Sequence, residues 1–312
     1  MTKLYVVLPC YNEEEVLPET TKRLSTKMNE LIARQIIRED SKIVYVDDGS
    51  KDKTWSLIER QNQENPLVQG VKLTRNKGHQ NALLAGLMTV RDCCDATISM
   101  DADLQDDVQV IETMVAEYEK GNEIVYGVRS SRDTDTVFKK STALGFYKLM
   151  KFLGADTVFN HADCRLMSGL ALNRLAEFKE VNLFLRGIVP MIGYKSSIAY
   201  YDRSERFAGE SKYPLKKMIA FAWQGVTSLS AKPIKMITIT GILLSLLGFI
   251  ALIVFLILYS SSAVGMLWPI LCAISLACGL QLTAIGVIGE YVGKSYIEIK
   301  GRPRFFVETY LE

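Results

Sequence analysis

The sequence predicts an α/β fold with a mostly parallel sheet, followed by a two-helix transmembrane hairpin. Three features carry that expectation. Short β-branched runs alternate with longer amphipathic ones from residue 4 to about residue 175, the pattern of strands joined by helical crossovers. A polar cluster follows each of those runs. Two long apolar stretches then occupy residues 234–259 and 266–289, each near or above the ~20 residues needed to cross a bilayer.

Taken in order, residues 4–8, 42–46, 68–73, 96–100 and 124–128 are strand candidates, being short, apolar and β-branched. Residues 13–33, 53–63, 78–89 and 107–120 between them have helical length and period. Such a chain folds into a twisted sheet covered on both faces, with ligands beyond the carboxyl ends of the strands. The regular alternation stops after Arg132. Residues 136–153 mix lysines with aromatics at helical spacing, which suits either an ordinary surface helix or one lying on anionic lipid. Asp163-Cys164-Arg165-Leu166-Met167 is strand-like, residues 169–177 are helical, and residues 181–202 add further helix and strand. Residues 203–213 are polar, basic and glycine-containing, a mobile loop or a linker. From 213 to 230 an amphipathic helix with Lys216, Lys217, Phe221 and Trp223 can lie along a membrane surface.

In the two apolar stretches, Lys235 is the only charge of the first and the second has none. The uncharged link Ser260-Ser261-Ser262-Ala263-Val264-Gly265 makes them a hairpin. Lys232 and Lys235 precede it, and Lys294, Lys300, Arg302 and Arg304 follow it. Positive charge at both outer ends sets both termini in the cytoplasm. Gly279, Ala284, Gly286 and Gly289 allow close helix contact, within the hairpin or between copies in a homo-oligomer. The expected division is therefore residues 1–212 as a cytoplasmic domain, 213–232 as a juxtamembrane helix, 233–290 as two spans and 291–312 as a cytoplasmic tail.

Composition removes several classes of function. Thirty-seven basic and 35 acidic residues nearly cancel, which does not suit a nucleic acid partner. Six cysteines without C-x-x-C spacing and only two histidines support neither a zinc framework nor a disulfide scaffold, and favour a reducing compartment. The apolar run 4–8 is too short for the core of a signal peptide. Neither G-x-G-x-x-G nor the P-loop pattern is present.

The polar clusters fall on one edge of the expected sheet: Pro9-Cys10-Tyr11-Asn12-Glu13, Asp47-Asp48-Gly49-Ser50, Asn76-Lys77-Gly78, Asp101-Ala102-Asp103-Leu104-Gln105 and Gly127-Val128-Arg129-Ser130-Ser131-Arg132. Singly, each reads as a turn or a helix cap. Together they favour a nucleotide site. Asp101 and Asp103, one residue apart at a strand end, supply hard oxygen ligands for a divalent cation and through it for a diphosphate. The alternative is an acidic loop whose Asp107 caps the next helix. Asp47 and Asp48 could take a base or ribose, while Lys77, Arg129 and Arg132 could face phosphates.

With Asp163-Cys164-Arg165 and Arg206-Phe207-Ala208-Gly209-Glu210-Ser211-Lys212-Tyr213 added, these motifs resemble the inverting family-2 glycosyltransferases. Among them the chain is similar to the polyprenyl-phosphate transferases, both the bactoprenol glucosyltransferases with a two-helix anchor and the dolichyl-phosphate mannose synthases. Cys164 departs from the aromatic that relatives often carry there. The resemblance implies a GT-A, Rossmann-like catalytic domain using Mg2+ or Mn2+. It implies that Pro9, Tyr11, Asn12, Glu13, Asp47, Asp48, Lys77, Asp101, Ala102 and Arg129 hold the nucleotide sugar, and that Asp101 and Asp103 handle the metal. Gln105 would orient the sugar or the metal shell. Arg132, Arg206 and Lys212 would meet donor diphosphate or acceptor phosphate. Asp163 would orient the acceptor or take its proton, or else pair structurally with Arg165. The implied reaction is transfer of glucose from UDP-glucose to polyprenyl phosphate at the cytoplasmic face of a bacterial inner or plasma membrane, with GDP-mannose or another sugar donor as the alternative. A processive synthase should have more spans and Q-x-x-R-W, yet none of Trp55, Trp223 and Trp268 follows an arginine. A non-catalytic membrane nucleotide sensor is the remaining class, although nearly charge-free spans count against an ion path.

Overall fold

A computed structural model of the chain describes residues 1–129, 161–202 and 267–312. One sheet of eight strands organises these residues. Along the chain they are β1 (Leu4–Cys10), α1 (Leu17–Ala33), β2 (Lys42–Asp47), α2 (Thr54–Glu64), β3 (Val68–Leu73), α3 (His79–Val90), β4 (Ala96–Ser99), α4 (Val110–Glu119) and β5 (Ile124–Arg129). Then follow β6 (His161–Ser168), α5 (Gly169–Glu177), α6 (Leu185–Met191), β7 (Ser196–Tyr201), α7 (Leu267–Lys300) and β8 (Val307–Leu311). The order across the sheet is β7-β5-β6-β4-β1-β2-β3-β8. β4, β1, β2 and β3 run parallel, as does β5 with β7. β6 and β8 are antiparallel to their neighbours.

The period-two pattern of β1 shows why the sheet is covered on both faces. Leu4, Val6, Leu8 and Cys10 enter one apolar core with Leu24 and Met28 of α1, Ile58 of α2 and Met114 of α4. Tyr5 and Val7 enter the other, with Leu83 and Leu87 of α3, Leu172 of α5 and Ile188 of α6. Every residue of β1 is buried, as expected of a central parallel strand. α3 lies close to the sheet because Gly86 has no side chain. A Cβ there would stand 2.4 Å from a methyl of Val46 and 2.6 Å from one of Val7.

Two departures from the sequence reading bear on the site. Residues 13–16 are a turn, and α1 begins at Leu17 with Pro18 in its first turn, where a missing N–H does no harm. The segment 291–312, which reads as a tail, continues α7 to Lys300 and then returns as β8, pairing with β3 from Val307 to Leu311. Among the described residues no helix is long and apolar enough to cross a membrane. The first predicted span and the amphipathic helix before it lie outside the described residues, and the second span coincides with the first part of α7, whose side chains are described only in part.

Candidate active site

The ends of β1, β2 and β3 are laced into one surface by side chains that accept backbone N–H groups. Asn12 has φ of 53°, a left-handed conformation that asparagine tolerates better than most residues. Its amide N–H donates to Ser50 Oγ at 3.0 Å, and its Oδ1 accepts from Lys51 N at 2.8 Å. Glu13 N donates to Thr54 Oγ1 at 2.9 Å. Asp48 accepts from Lys77 N at 2.7 Å and from Gly78 N at 2.9 Å, fastening the β3–α3 loop to the end of β2. Gly49, at φ 67°, lets that loop approach, since a Cβ would stand 2.6 Å from Asn76 N. Asp47 is buried and accepts from Ser50 N at 3.2 Å. Burial pushes the Asp47 carboxyl upward, with the Ser50 hydrogen bonds opposing. Burial does the same to Asp48, against the pull of the two amides it binds.

The end of β4 carries the acids. Ala102 O accepts a 2.8 Å hydrogen bond from Thr20 Oγ1 of α1, which fixes the backbone between the two carboxylates. Asp103 Oδ1 accepts from Gln105 N at 3.2 Å, an Asx turn around Leu104. Leu104 itself has φ of 59°. A leucine held in this region is strained by about 1–2 kcal/mol, and such strain persists where surrounding structure over-determines it. Asp106 accepts from Tyr201 Oη at 2.6 Å, tying the acidic loop to the end of β7.

Asp163 of β6 faces the same place. Arg186 of α6 donates to both its oxygens, from Nε at 3.0 Å and from Nη2 at 2.8 Å. The structural pairing with Arg165, one of the two roles left open for Asp163, is thus not formed; its partner is Arg186. Asp163 and Arg165 share a face of β6, but Arg165 is wholly buried with its guanidinium 5.8 Å from the Tyr126 ring. His79, in the first turn of α3, places Nε2 3.6 Å from Asp101 Oδ1 and 3.7 Å from Asp163 Oδ2. Burial pushes the Asp101 carboxyl up to about 7; His79 opposes this, and Asp106, Asp163 and Asp103 add to it. Burial acts on Asp163 too, but the charge and hydrogen bonds of Arg186 outweigh it and hold that carboxyl well below the usual range. Asp163 is therefore a poor proton acceptor and a firm anchor for Arg186.

The residues fit a divalent cation in one particular way. Among the described residues no group of three or more His, Cys, Asp or Glu side chains could hold a metal by itself. Asp101 and Asp103 offer two carboxylates one residue apart, with Asp106 and Asp163 adding negative charge close to Asp101. Magnesium bound through one or two carboxylates, with substrate phosphates and water completing its shell, suits that set.

The structure thus gathers Pro9, Tyr11, Asn12, Glu13, Asp47, Asp48, Lys77, Asp101, Ala102, Asp103, Gln105 and Asp163 on the carboxyl edge of one sheet. Asn12 and Asp48 brace backbone there. Arg129 ends β5 beside Tyr201. Arg132, Arg206 and Lys212 lie outside the described residues. His79 and Arg186 escape the sequence reading. The signals for them are slight: one of two histidines just after a strand-end glycine, and one cation in the apolar run Leu183–Ile188.

A mixed, mostly parallel sheet with acids gathered at its strand ends is the architecture of GT-A-like glycosyltransferases. Residues 5–175 match the profile of glycosyl transferase family 2, and the chain belongs to that family. It is 51% identical over 306 residues to the uncharacterized glycosyltransferase YkoT of Bacillus subtilis, covering 98% of this chain and 91% of that one. To the bactoprenol glucosyl transferase of Shigella phage SfX it is 35% identical over 312 residues, covering 98% and 99%. Among solved structures, mannosyl-3-phosphoglycerate synthase from Rubrobacter xylanophilus shares the fold with a TM-score of 0.51 at 14% identity, over 75% of this chain and 74% of that one.

Proposed function

We propose that the chain is an inverting hexosyltransferase that moves glucose from UDP-glucose onto polyprenyl phosphate at the cytoplasmic face of a membrane. The observation that carries this reading is the likeness to bactoprenol glucosyl transferase over 98% of this chain and 99% of the phage protein, C-terminal apolar runs included. In this reading residues 1–212 are the catalytic part, 213–232 lie along the surface, and 233–290 form a two-span anchor, after which the chain returns to the sheet.

An acceptor phosphate oxygen attacks the anomeric carbon while the bond from that carbon to the donor diphosphate breaks, so the configuration inverts once. Asp101 and Asp103 would hold Mg2+ or Mn2+, with Gln105 beside them; when bound, the ion neutralises charge on the departing diphosphate. Asp47 accepts an N–H of the base, with Pro9, Tyr11 and Glu13 around the nucleoside and Lys77 toward the phosphates. A phosphate monoester carries ~1.5–2 negative charges at neutral pH, so it needs little help from a general base. Arg186, braced by Asp163, supplies positive charge for that phosphate, with His79 beside it.

The test is incubation of the purified full chain with a panel of labelled nucleotide sugars and a short polyprenyl phosphate. UDP-glucose should give a monoglycosylated lipid. Asp101→Asn and Asp103→Asn should each slow transfer by about 10²–10³-fold, and chelation should stop it until Mg2+ or Mn2+ is restored. Preference for GDP-mannose would replace the donor, and absence of product with every donor would sink the assignment.

A further inference from the structure

The segment from Phe178 to Phe184, which joins α5 to α6, forms neither helix nor strand, so part of its backbone must be satisfied from outside. Its partners stand on elements remote in sequence. Glu298, near the end of α7, accepts from Val181 N through Oε2 at 2.8 Å and from Asn182 N through Oε1 at 2.7 Å. The same Oε1 accepts from Asn182 Nδ2 at 2.7 Å. Arg304, just beyond α7, donates to Phe178 O. Burial pushes the Glu298 carboxyl up, but these N–H groups and the charge of Arg304 outweigh it and hold the carboxyl below its ordinary value.

A further anchor comes from α3. Phe184, the cap of α6, makes no side-chain hydrogen bond to that helix. Leu185 N, one of the N–H groups that a helix start leaves over, donates instead to Gln80 Oε1 at 2.8 Å. Gln80 follows His79, so the first turn of α3 both faces Asp101 and Asp163 and holds the start of α6. Arg186 is the next residue. α6 has only seven residues, too few to hold a helix by itself. Leu185, Ile188 and Val189 pack in the core, but apolar contact is non-directional, so the polar anchors decide where Arg186 starts. Its paired hydrogen bonds to Asp163, at 3.0 and 2.8 Å, need that start in place. A shift of about 1 Å in such a group can cost about 10²-fold.

We propose that Gln80 and Glu298 are positioning residues for Arg186: they fix the start of α6, and through it the guanidinium that meets the acceptor phosphate. This role rests on the reading of Arg186 as an acceptor-phosphate ligand. It gives the end of α7 a part in acceptor binding that an anchor alone does not have.

The test measures the affinity of the purified full chain in neutral detergent for a short polyprenyl phosphate, by thermal shift, with transfer kinetics alongside. Gln80→Met should weaken polyprenyl phosphate binding by about three- to tenfold, the range that one lost hydrogen bond allows. Glu298→Leu should weaken it by about tenfold or more. Glu298→Gln, which keeps one acceptor oxygen, should recover part of that loss, and keeps the test open should Glu298→Leu fold poorly. KM for polyprenyl phosphate should rise in step while KM for UDP-glucose does not. In an Arg186→Leu background neither Gln80→Met nor Glu298→Leu should add to the loss. A purely structural role would lower Tm and leave acceptor affinity alone; that result, or losses that add to Arg186→Leu, overturns the positioning role. Full affinity in Arg186→Leu removes the acceptor reading of Arg186 and the positioning role with it. Absence of transfer from every donor, with the binding losses intact, would dismiss the proposed reaction and leave the positioning role standing.

Discussion

The carboxylates that meet at the end of β4 are held in opposite electrostatic states. Burial and crowding make Asp101 prone to keep a proton, whereas two hydrogen bonds from Arg186 keep Asp163 ionised. Asp101 and Asp103 are visible in the sequence because two acids one residue apart follow an apolar run. Arg186 is not, because its partner is 23 residues away and on another element. The Asp163 pKa is depressed in the fold, so the pair stabilises the protein fully above the unfolded carboxyl value of about 3.9 and loses that effect as pH falls through the folded value. Arg186→Leu strands a carboxylate that is 19% exposed. Stranding a buried charge costs about 3–5 kcal/mol, and partial exposure brings the expectation to about 1–3 kcal/mol. Thermal unfolding across pH should show the deficit in full at pH 7 and shrinking below about pH 4. A deficit that stays constant down to pH 3 would remove the ion pair as its cause.

Among elements, strands read from sequence better than helix starts. β1 to β5 follow the apolar runs because period and burial are local properties of a central strand. The start of α1 depends on partners elsewhere: Glu13 N and Glu14 N are taken by Thr54, the first residue of α2, and by Asp52 of the β2–α2 loop, so residues 13–16 stay a turn. Gly49 belongs to the same lattice of loops, and its absent Cβ makes room for the β3–α3 loop. Gly49→Ala combines a left-handed alanine, at about 1–2 kcal/mol, with a backbone clash of similar or larger size, giving about 2–4 kcal/mol in all. Gly78→Ala shares the positive φ, at φ 84° and ψ 153° where almost only glycine is found, but meets nothing within 4 Å, so strain alone should cost about 1–3 kcal/mol. Urea unfolding of the two variants should rank them in that order. On the proposed donor site, UDP affinity should fall for Gly49→Ala, because displacing Asn76 shifts the loop that Asp48 ties to the end of β2. Equal losses of stability would mean that the close approach does not constrain the site.

For the whole molecule, the catalytic sheet is not contained in the first 212 residues. β8 covers the outer edge of β3 through ladder pairing from Gly70–Leu311 to Leu73–Val307. Tyr310 Oη donates to Gln69 Oε1 at 3.0 Å, and Lys72 pairs with Glu308 at 2.9 Å. The end of α7 is clamped as well, since Glu298 accepts from the backbone just before α6, the helix that carries Arg186. Composition hides this arrangement: residues 291–312 look like a charged tail, and the strand within them is short and pairs across more than 230 residues of sequence. A chain ending at residue 232 should therefore retain β1 to β7 but present β3 as a bare edge, a template for pairing with other chains. It should unfold several degrees lower and associate in size-exclusion chromatography. A peptide of residues 303–312 added in trans should restore the monomer and part of the lost Tm, since it supplies the missing ladder without α7. Should the shortened chain be monomeric and as stable as the full one, β8 would be a passive cover and the return of the chain to the sheet would have no bearing on the site.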